Sequence, residues 1–325
     1  MRIGDLGLGE LRDLADATVL VAAASEAGLF QVLHEAPATA EAVAQGLGYD
    51  LRATRIVLHG LVETGLVEVD GGQFRLSARA ERELGDPAGP GFVGRGLPHW
   101  LYAVRATTRL GEVLRRGGPL ETRPARRTPD HVARFTSAMA AAPPERVQRI
   151  VDLCLERHPA ARTVLDLGGG PGHMTRAFVA RGLRGTLVDT ADIVAHVQEA
   201  FGLRELEGLE VVAGDFTRDA LPRGPFDLVL LSNVIHIYDG PTIATLFRQA
   251  CEVLAPGGVL AVAEFLRGRS RRAAHLALQM LLKSDRGDAH SEEEIRGWME
   301  DAGFGDVRVD ALDRDRHLLT ARRAD

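Results

Sequence analysis

Val164-Leu165-Asp166-Leu167-Gly168-Gly169-Gly170-Pro171-Gly172 carries a short apolar run straight into a glycine-rich turn, and a helical pattern from His173 to Arg181 follows. Strand, glycine turn and helix in that order open one half of a parallel, nucleotide-binding sheet. Glycine is what lets a ligand approach the backbone at such a turn. The spacing narrows the ligand. A dinucleotide GxGxxG turn beginning at Gly168 needs glycine at 173, where the chain has His173, and the glycines stand instead at 168, 170 and 172. The tighter turn disfavours NAD.

Outward from this stretch, short apolar runs alternate with helical segments from Pro144 onward, the pattern of a parallel sheet with helical crossovers. The predicted strands are Thr163 to Leu167, Thr186 to Asp189, Glu210 to Ala213, Asp227 to Ser232 and Val259 to Phe265. Each is nearly all apolar, as strands buried on both faces must be. Near the end, Ser291 and Glu294 form a capping box for a helix ending near Gly303, and Val307 to Asp310 with His317 to Ala321 reads as a terminal antiparallel pair. The fold class expected is α/β, a Rossmann-like doubly wound sheet.

Ligands of open parallel sheets bind beyond the carboxyl ends of the strands, and several chemistry-bearing residues fall there. Asp189 ends the second strand, where an acidic residue can grip ribose hydroxyls. Gly214-Asp215-Phe216 follows the third, offering a carboxylate to an adenine amino group and an apolar ring beside it. The fourth strand closes in Ser232, with His236 just beyond as a candidate general base. Glu264 ends the fifth, and a carboxylate in an apolar strand end needs a partner, which His236 can be. Cys154 and Cys251 lack CxxC spacing, so they read as buried thiols, and no metal site is expected.

Residues before this region read differently. A small-residue helix is expected from Asp16 to Leu33, then one capped by Thr39 and one capped by Asp50 that stops at Gly65. Val67 to Leu76 alternates around Asp70-Gly71-Gly72 as a hairpin. Three helices and a wing suggest DNA binding, which requires a basic face. Residues 1–86 hold seven arginines and no lysine against fourteen acids, so that function is disfavoured. Gly85 to Gly96 and Gly117 to Pro129 read as surface connections. The expected division is 1–100, a winged-helix domain; 101–143, a helical linker; and 144–325, the ligand-binding domain.

Composition agrees with two ordinary globular domains: 325 residues, 45% hydrophobic and 26% charged, with a net charge of -6. Met1 to Leu20 interleaves Asp5, Glu10, Asp13 and Asp16, unlike a secretory signal, and no apolar run reaches the ~20 residues of a membrane span. A cytoplasmic protein binding neither membrane nor nucleic acid is expected.

Taken together, the loop from Asp166 to Gly172, Asp189, Gly214-Asp215-Phe216, the segment Ser232 to His236, Pro256-Gly257-Gly258 and Ala302-Gly303-Phe304 resemble the class I, SAM-dependent O-methyltransferases of plants and bacterial secondary metabolism. The resemblance runs from about Leu14 to Thr320. It implies a SAM site lined by Asp166, Gly168, Gly170, Asp189, Asp215, Phe216 and Ser232, with His236 as base and Glu264 orienting it. It also implies that the winged helix forms a homodimer, and that the acceptor is a small aromatic or polyketide-like molecule. Two departures stand out: the family's His-Asp-Trp is His236-Ile237-Tyr238, and its second acid beside the base falls at Ala289, next to Asp288. Relatives that bind SAM yet hydroxylate, decarboxylate or rearrange provide the alternative reading. The run Arg267, Arg269, Arg271 and Arg272 reads either as a solvated loop or as recognition of an acidic group on the substrate.

Overall fold

Two compact units make up the chain, residues 1–105 and residues 106–325. The computed structural model describes residues 5–87, 89, 92–120 and 128–324. The expected connections Gly85 to Gly96 and Gly117 to Pro129 therefore lie partly outside the described residues.

In the first unit, the helix expected over Asp16 to Leu33 is two helices, Leu8–Glu26 and Leu29–Glu35. They part at Gly28, whose φ of 80° ends the first and opens the second. Apolar periodicity hides the break, because Ala24 of one helix and Leu29, Phe30 and Leu33 of the other enter the same core. Thr39 and Asp50 cap the helices Ala40–Leu47 and Leu51–Glu63 by accepting from the Ala42 and Ala53 amides, as their positions predict. A two-residue strand, β1 (Ala38–Thr39), joins the hairpin of β2 (Val67–Asp70) and β3 (Gln73–Leu76) in the order β1-β3-β2. Gly71 and Gly72, both at positive φ, make the turn. No single helix among the described residues is long and apolar enough to cross a membrane.

The second unit is built on the strand that carries the glycine turn, β4 (Thr163–Leu167). On one side lie β5 (Arg184–Asp189) and then β6 (Leu209–Ala213). On the other lie β7 (Phe226–Ser232) and β8 (Leu254–Phe265), followed by β10 (Arg316–Arg323) and β9 (Phe304–Ala311). The first five run parallel; β10 is antiparallel to β8 and to β9. Chain order reverses between β4 and β7, so the crevice of a doubly wound sheet opens at their carboxyl ends.

Alternate side chains of the central strands feed two cores. Leu165, Leu167, Val229, Leu231, Leu260 and Val262 pack with the helices Gly240–Val253 and Glu292–Asp301. Val164, Leu228, Leu230, Val259 and Ala261 pack with Pro144–Arg157 and His173–Val179. Strand β5 starts earlier than its apolar run because Gly185 admits the helix beside it; a Cβ there would meet Thr175 at 2.4 Å. Strand β8 absorbs Pro256-Gly257-Gly258 through a register shift against β7.

Phe247, fully buried at the centre of the first core, sets the packing of its helix on the sheet. We expect Phe247→Ala to destabilise the second unit by about 3–5 kcal/mol. Denaturant titration followed by circular dichroism measures this, and a loss under ~1 kcal/mol would mean the site collapses onto its cavity.

Candidate active site

The glycine turn stands on three left-handed residues, Gly168 (φ 74°), Gly170 (φ 50°) and Gly172 (φ 75°). Two of them are also held by close approach: a Cβ would meet Val234 at 2.7 Å from Gly168 and Leu203 at 2.7 Å from Gly172. At Gly169 a Cβ would meet Leu187 at 2.6 Å, so the turn is pressed onto β5. Gly170 differs, with no atom within 4 Å of that position. Gly170 is itself buried, and the open space at its missing side chain leaves room beside the loop for a ligand lying along it. Its amide donates to Asp189 Oδ2 at 2.9 Å, and Asp189 Oδ1 accepts from the Thr190 amide at 2.7 Å.

Asp166 lies beneath this turn rather than on its open side, 1% exposed, and its Oδ2 accepts from Thr175 Oγ1 at 2.5 Å. Burial pushes its carboxyl up to about 6, and the Asp189 charge adds to the shift against the Thr175 hydrogen bond. Thr175, which the sequence reading passes over, braces the loop from the next helix; a polar residue on that helix's buried face is the only signal of it.

At the end of β6, Asp215 Oδ1 accepts from the Thr217 amide at 3.1 Å and from its hydroxyl at 2.6 Å, closing a turn. Phe216 is 5% exposed and belongs to the core, edge-on to Tyr238 with ring centroids 6.2 Å apart. The turn thus positions the carboxylate, while most of the ring is spent on packing. Ser232 is half-buried and accepts from Asn233 Nδ2 at 3.3 Å.

Asn233, at φ 57°, turns the chain out of β7 into the helical turn Ile235–Ile237. This brings His236 beside the end of β8, where its Nδ1 and Glu264 Oε2 are 2.8 Å apart. Glu264 is fully buried, and its Oε1 accepts from the Phe265 amide at 3.0 Å. Gly287 packs against this histidine's backbone: a Cβ there would meet the His236 carbonyl at 2.4 Å. His290, also unforeseen, meets the Tyr238 carbonyl through Nε2 at 3.1 Å and lies edge-on to Trp298. Ala289 is 1% exposed in an apolar cluster with Phe265 and Ala273. Within the Arg267 to Arg272 run, Arg267 pairs with Glu294 at 2.6 Å and Asp288 at 3.6 Å, and Arg269 pairs with Glu292. Half of the run is thus engaged with acids of its own chain.

Five parallel strands, two antiparallel ones, a GxGxG turn and an acid closing the second strand define a SAM-dependent class I methyltransferase. Residues 139–309 match the family described as a methyltransferase domain. The chain belongs to the SAM-dependent O-methyltransferases. It is 31% identical over 320 residues to the tetracenomycin polyketide synthesis 8-O-methyl transferase TcmO of Streptomyces glaucescens, covering 92% of this chain and 91% of that one. It is 28% identical over 324 residues to the 3-hydroxy-5-methyl-1-naphthoate 3-O-methyltransferase of Streptomyces sahachiroi, covering 92% and 90%. Its fold is that of human N-acetylserotonin methyltransferase, solved with SAM, at a TM-score of 0.83 and 23% identity over 100% of both chains.

Asp166 makes stability depend on pH. Its folded carboxyl, at about 6, holds a proton more tightly than the unfolded one at 3.8, so its contribution is full below the lower value and lost as pH rises through the upper. Asp166→Asn, which keeps an acceptor for Thr175 without the charge, is expected to gain on wild type by up to about 3 kcal/mol between pH 4 and 7.5. Melting curves of both proteins across that range test it; parallel pH dependence would refute it.

Proposed function

We propose that the enzyme transfers the methyl group of SAM to a hydroxyl on a hydroxylated aromatic or polyketide-like metabolite, with His236 as general base. The observation that carries this is the His236–Glu264 pair, 2.8 Å apart at the carboxyl end of β7 and β8. SAM brings a methyl already activated on a sulfonium. Gly168, Gly170 and Ser232 would line it, Asp189 would take the ribose hydroxyls, and Asp215 with Phe216 would border the adenine. Asp166 would act from below, through the loop. The open space at the missing side chain of Gly170, beside the Asp189 carboxylate, fits such a ligand.

Glu264 accepts from the Nδ1–H of His236, which leaves Nε2 unprotonated and able to take the proton of an acceptor hydroxyl. A phenol of pKa near 10 is only ~0.1% ionised at pH 7, so a positioned base adds to the proximity that the crevice supplies. Both relatives' names point to hydroxyls of polyketide or aromatic acceptors, in one case a hydroxynaphthoate. The first unit serves dimerisation on this reading: Leu8 and Leu14 of its first helix are 85% and 46% exposed. Its acidic balance argues against nucleic acid.

His236→Ala is expected to keep SAM affinity and lower kcat by roughly 10² to 10⁴, with activity recovering at high pH where the acceptor ionises by itself. Wild-type rates from pH 6 to 9 would end the assignment. Asp189→Ala is expected to weaken binding of both SAM and S-adenosylhomocysteine in calorimetry. Light scattering at tens of micromolar should show a dimer; a monomer would remove the role given to the first unit.

A further inference from the structure

Two half-buried guanidinium groups near the end of β8 share a single carboxylate. Arg316 opens β10, and Arg146 lies on the helix Pro144–Arg157; their side chains are 21% and 14% exposed. Arg146 Nη1 is 3.1 Å, and Arg316 Nη1 3.6 Å, from the same Asp313 Oδ2. The other oxygen, Asp313 Oδ1, is taken by the amides of Asp315 and Arg316, each at 2.8 Å. Charges partly withdrawn from water are normally paired, and here two cations share one acid.

The surroundings add positive charge and an aromatic contact. Arg316 lies with its guanidinium carbon 4.1 Å from the centroid of Phe265, the last residue of β8, and its Nε donates to Asn233 Oδ1 at a long 3.4 Å. Burial, then the charges of Arg146 and Arg272, push Arg316 down to about 10, while Asp313 and Glu264 oppose them. His173 Nδ1 is buried without a hydrogen-bond partner. Burial, with Arg146 behind it, holds that imidazole down at about 4, so it adds a polar group and no compensating charge. Leu276, Ala277 and Ala289 pack around Phe265. Phe265 is only 7% exposed, its ring covered by Arg316 and this cluster, so what the place offers an acidic aromatic is the cationic fork at the edge of an apolar cluster.

We propose that Arg316, seconded by Arg146, binds an anionic group of the acceptor, so that the enzyme selects hydroxyaromatic acids over neutral phenols. The inference rests on the methyl-transfer reading for the role of its ligand, but its test requires no turnover. Arg316 is a specificity residue here, set against the ring at the end of β8 while the hydroxyl faces His236. The competing source of the same chemistry is the methionine carboxylate of SAM.

Calorimetry on the S-adenosylhomocysteine-loaded protein, with 3-hydroxy-1-naphthoate and 2-naphthol as probes, separates these cases. Wild type should bind the acid at least tenfold more tightly than the naphthol. Arg316→Gln should bring the two within about twofold and leave S-adenosylhomocysteine affinity unchanged. Arg316→Lys should keep part of the preference, since it retains the charge and loses the fork. Arg146→Gln should weaken the acid alone, and these last two variants carry the test if Arg316→Gln does not fold. No preference in wild type, or a preference untouched in the folded variants, overturns the proposal. A tenfold loss of S-adenosylhomocysteine affinity with the acid preference intact overturns it too, and gives the arginines to the cofactor. Loss of turnover in His236→Ala does not bear on these affinities, so either reading can fail without the other.

Discussion

The hydrogen bond from the Gly170 amide to the Asp189 carboxylate, 2.9 Å across the ends of two parallel strands, is the constraint on which the glycine-loop side of the crevice depends. Strand register alone brings Leu167 level with Val188 and Asp189 level with Ala213. It does not decide how the chain leaves β4. A left-handed residue other than glycine costs about 1–2 kcal/mol, and the loop uses three such positions within five residues. Leu187 and Leu203 fill the space that side chains at Gly169 and Gly172 would need. The loop is therefore seated by apolar contact, tied to β5 by one charged acceptor worth about 1.5–3 kcal/mol, and propped by Asp166 and Thr175.

Across the switch point, the β7 side solves the same problem with an asparagine. Asn233 accepts the left-handed conformation that its short polar side chain tolerates, and its amide is satisfied by the Ala263 carbonyl of the neighbouring strand. Because Ser232 is level with Ala263, the next residue on β8 is Glu264, and one helical turn beyond Asn233 is enough to deliver His236 to it. Gly287, pressed against the His236 carbonyl, fixes that turn from outside. The two halves of the crevice meet at Val234, which occupies the place of a Gly168 side chain.

The parts of this arrangement legible in the sequence are those set by local pattern. Doubly buried strands read as apolar runs, Thr39, Asp50 and Ser291 announce helix starts, and the glycine spacing disfavours a dinucleotide turn. What escaped was set by contacts remote in sequence. The break at Gly28 lies inside an uninterrupted apolar periodicity, since both helices bury the same face. Asp166 reads as a ligand-facing acid because it borders the loop, yet strand alternation sends its carboxyl under the turn to Thr175. Phe216 offers an apolar ring by sequence, and the core takes most of it. Arg316 and Arg146 are 170 residues apart in the chain, and only the return of β10 alongside β8 brings them to one carboxylate.

The same return bears on the base. On the reading proposed for His236, its partner is Glu264 alone, because the position where the family places a second acid is Ala289, closed within an apolar cluster. A second carboxylate would stabilise the imidazolium that forms as the proton leaves the acceptor, so here that stabilisation falls to Glu264 alone. On the proposal made for Arg316, its charge, only partly met by Asp313, would act on the other partner in the transfer: a cation near a bound hydroxyaromatic acid favours its ionised forms, and therefore lowers the pKa of the hydroxyl. Proton transfer depends on the difference between the two pKa values, not on either alone. A base supported by one carboxylate therefore suits an acceptor whose proton a nearby cation loosens, and on these proposals the loop at Ala289 and the strand end at Arg316 bear on the same proton transfer.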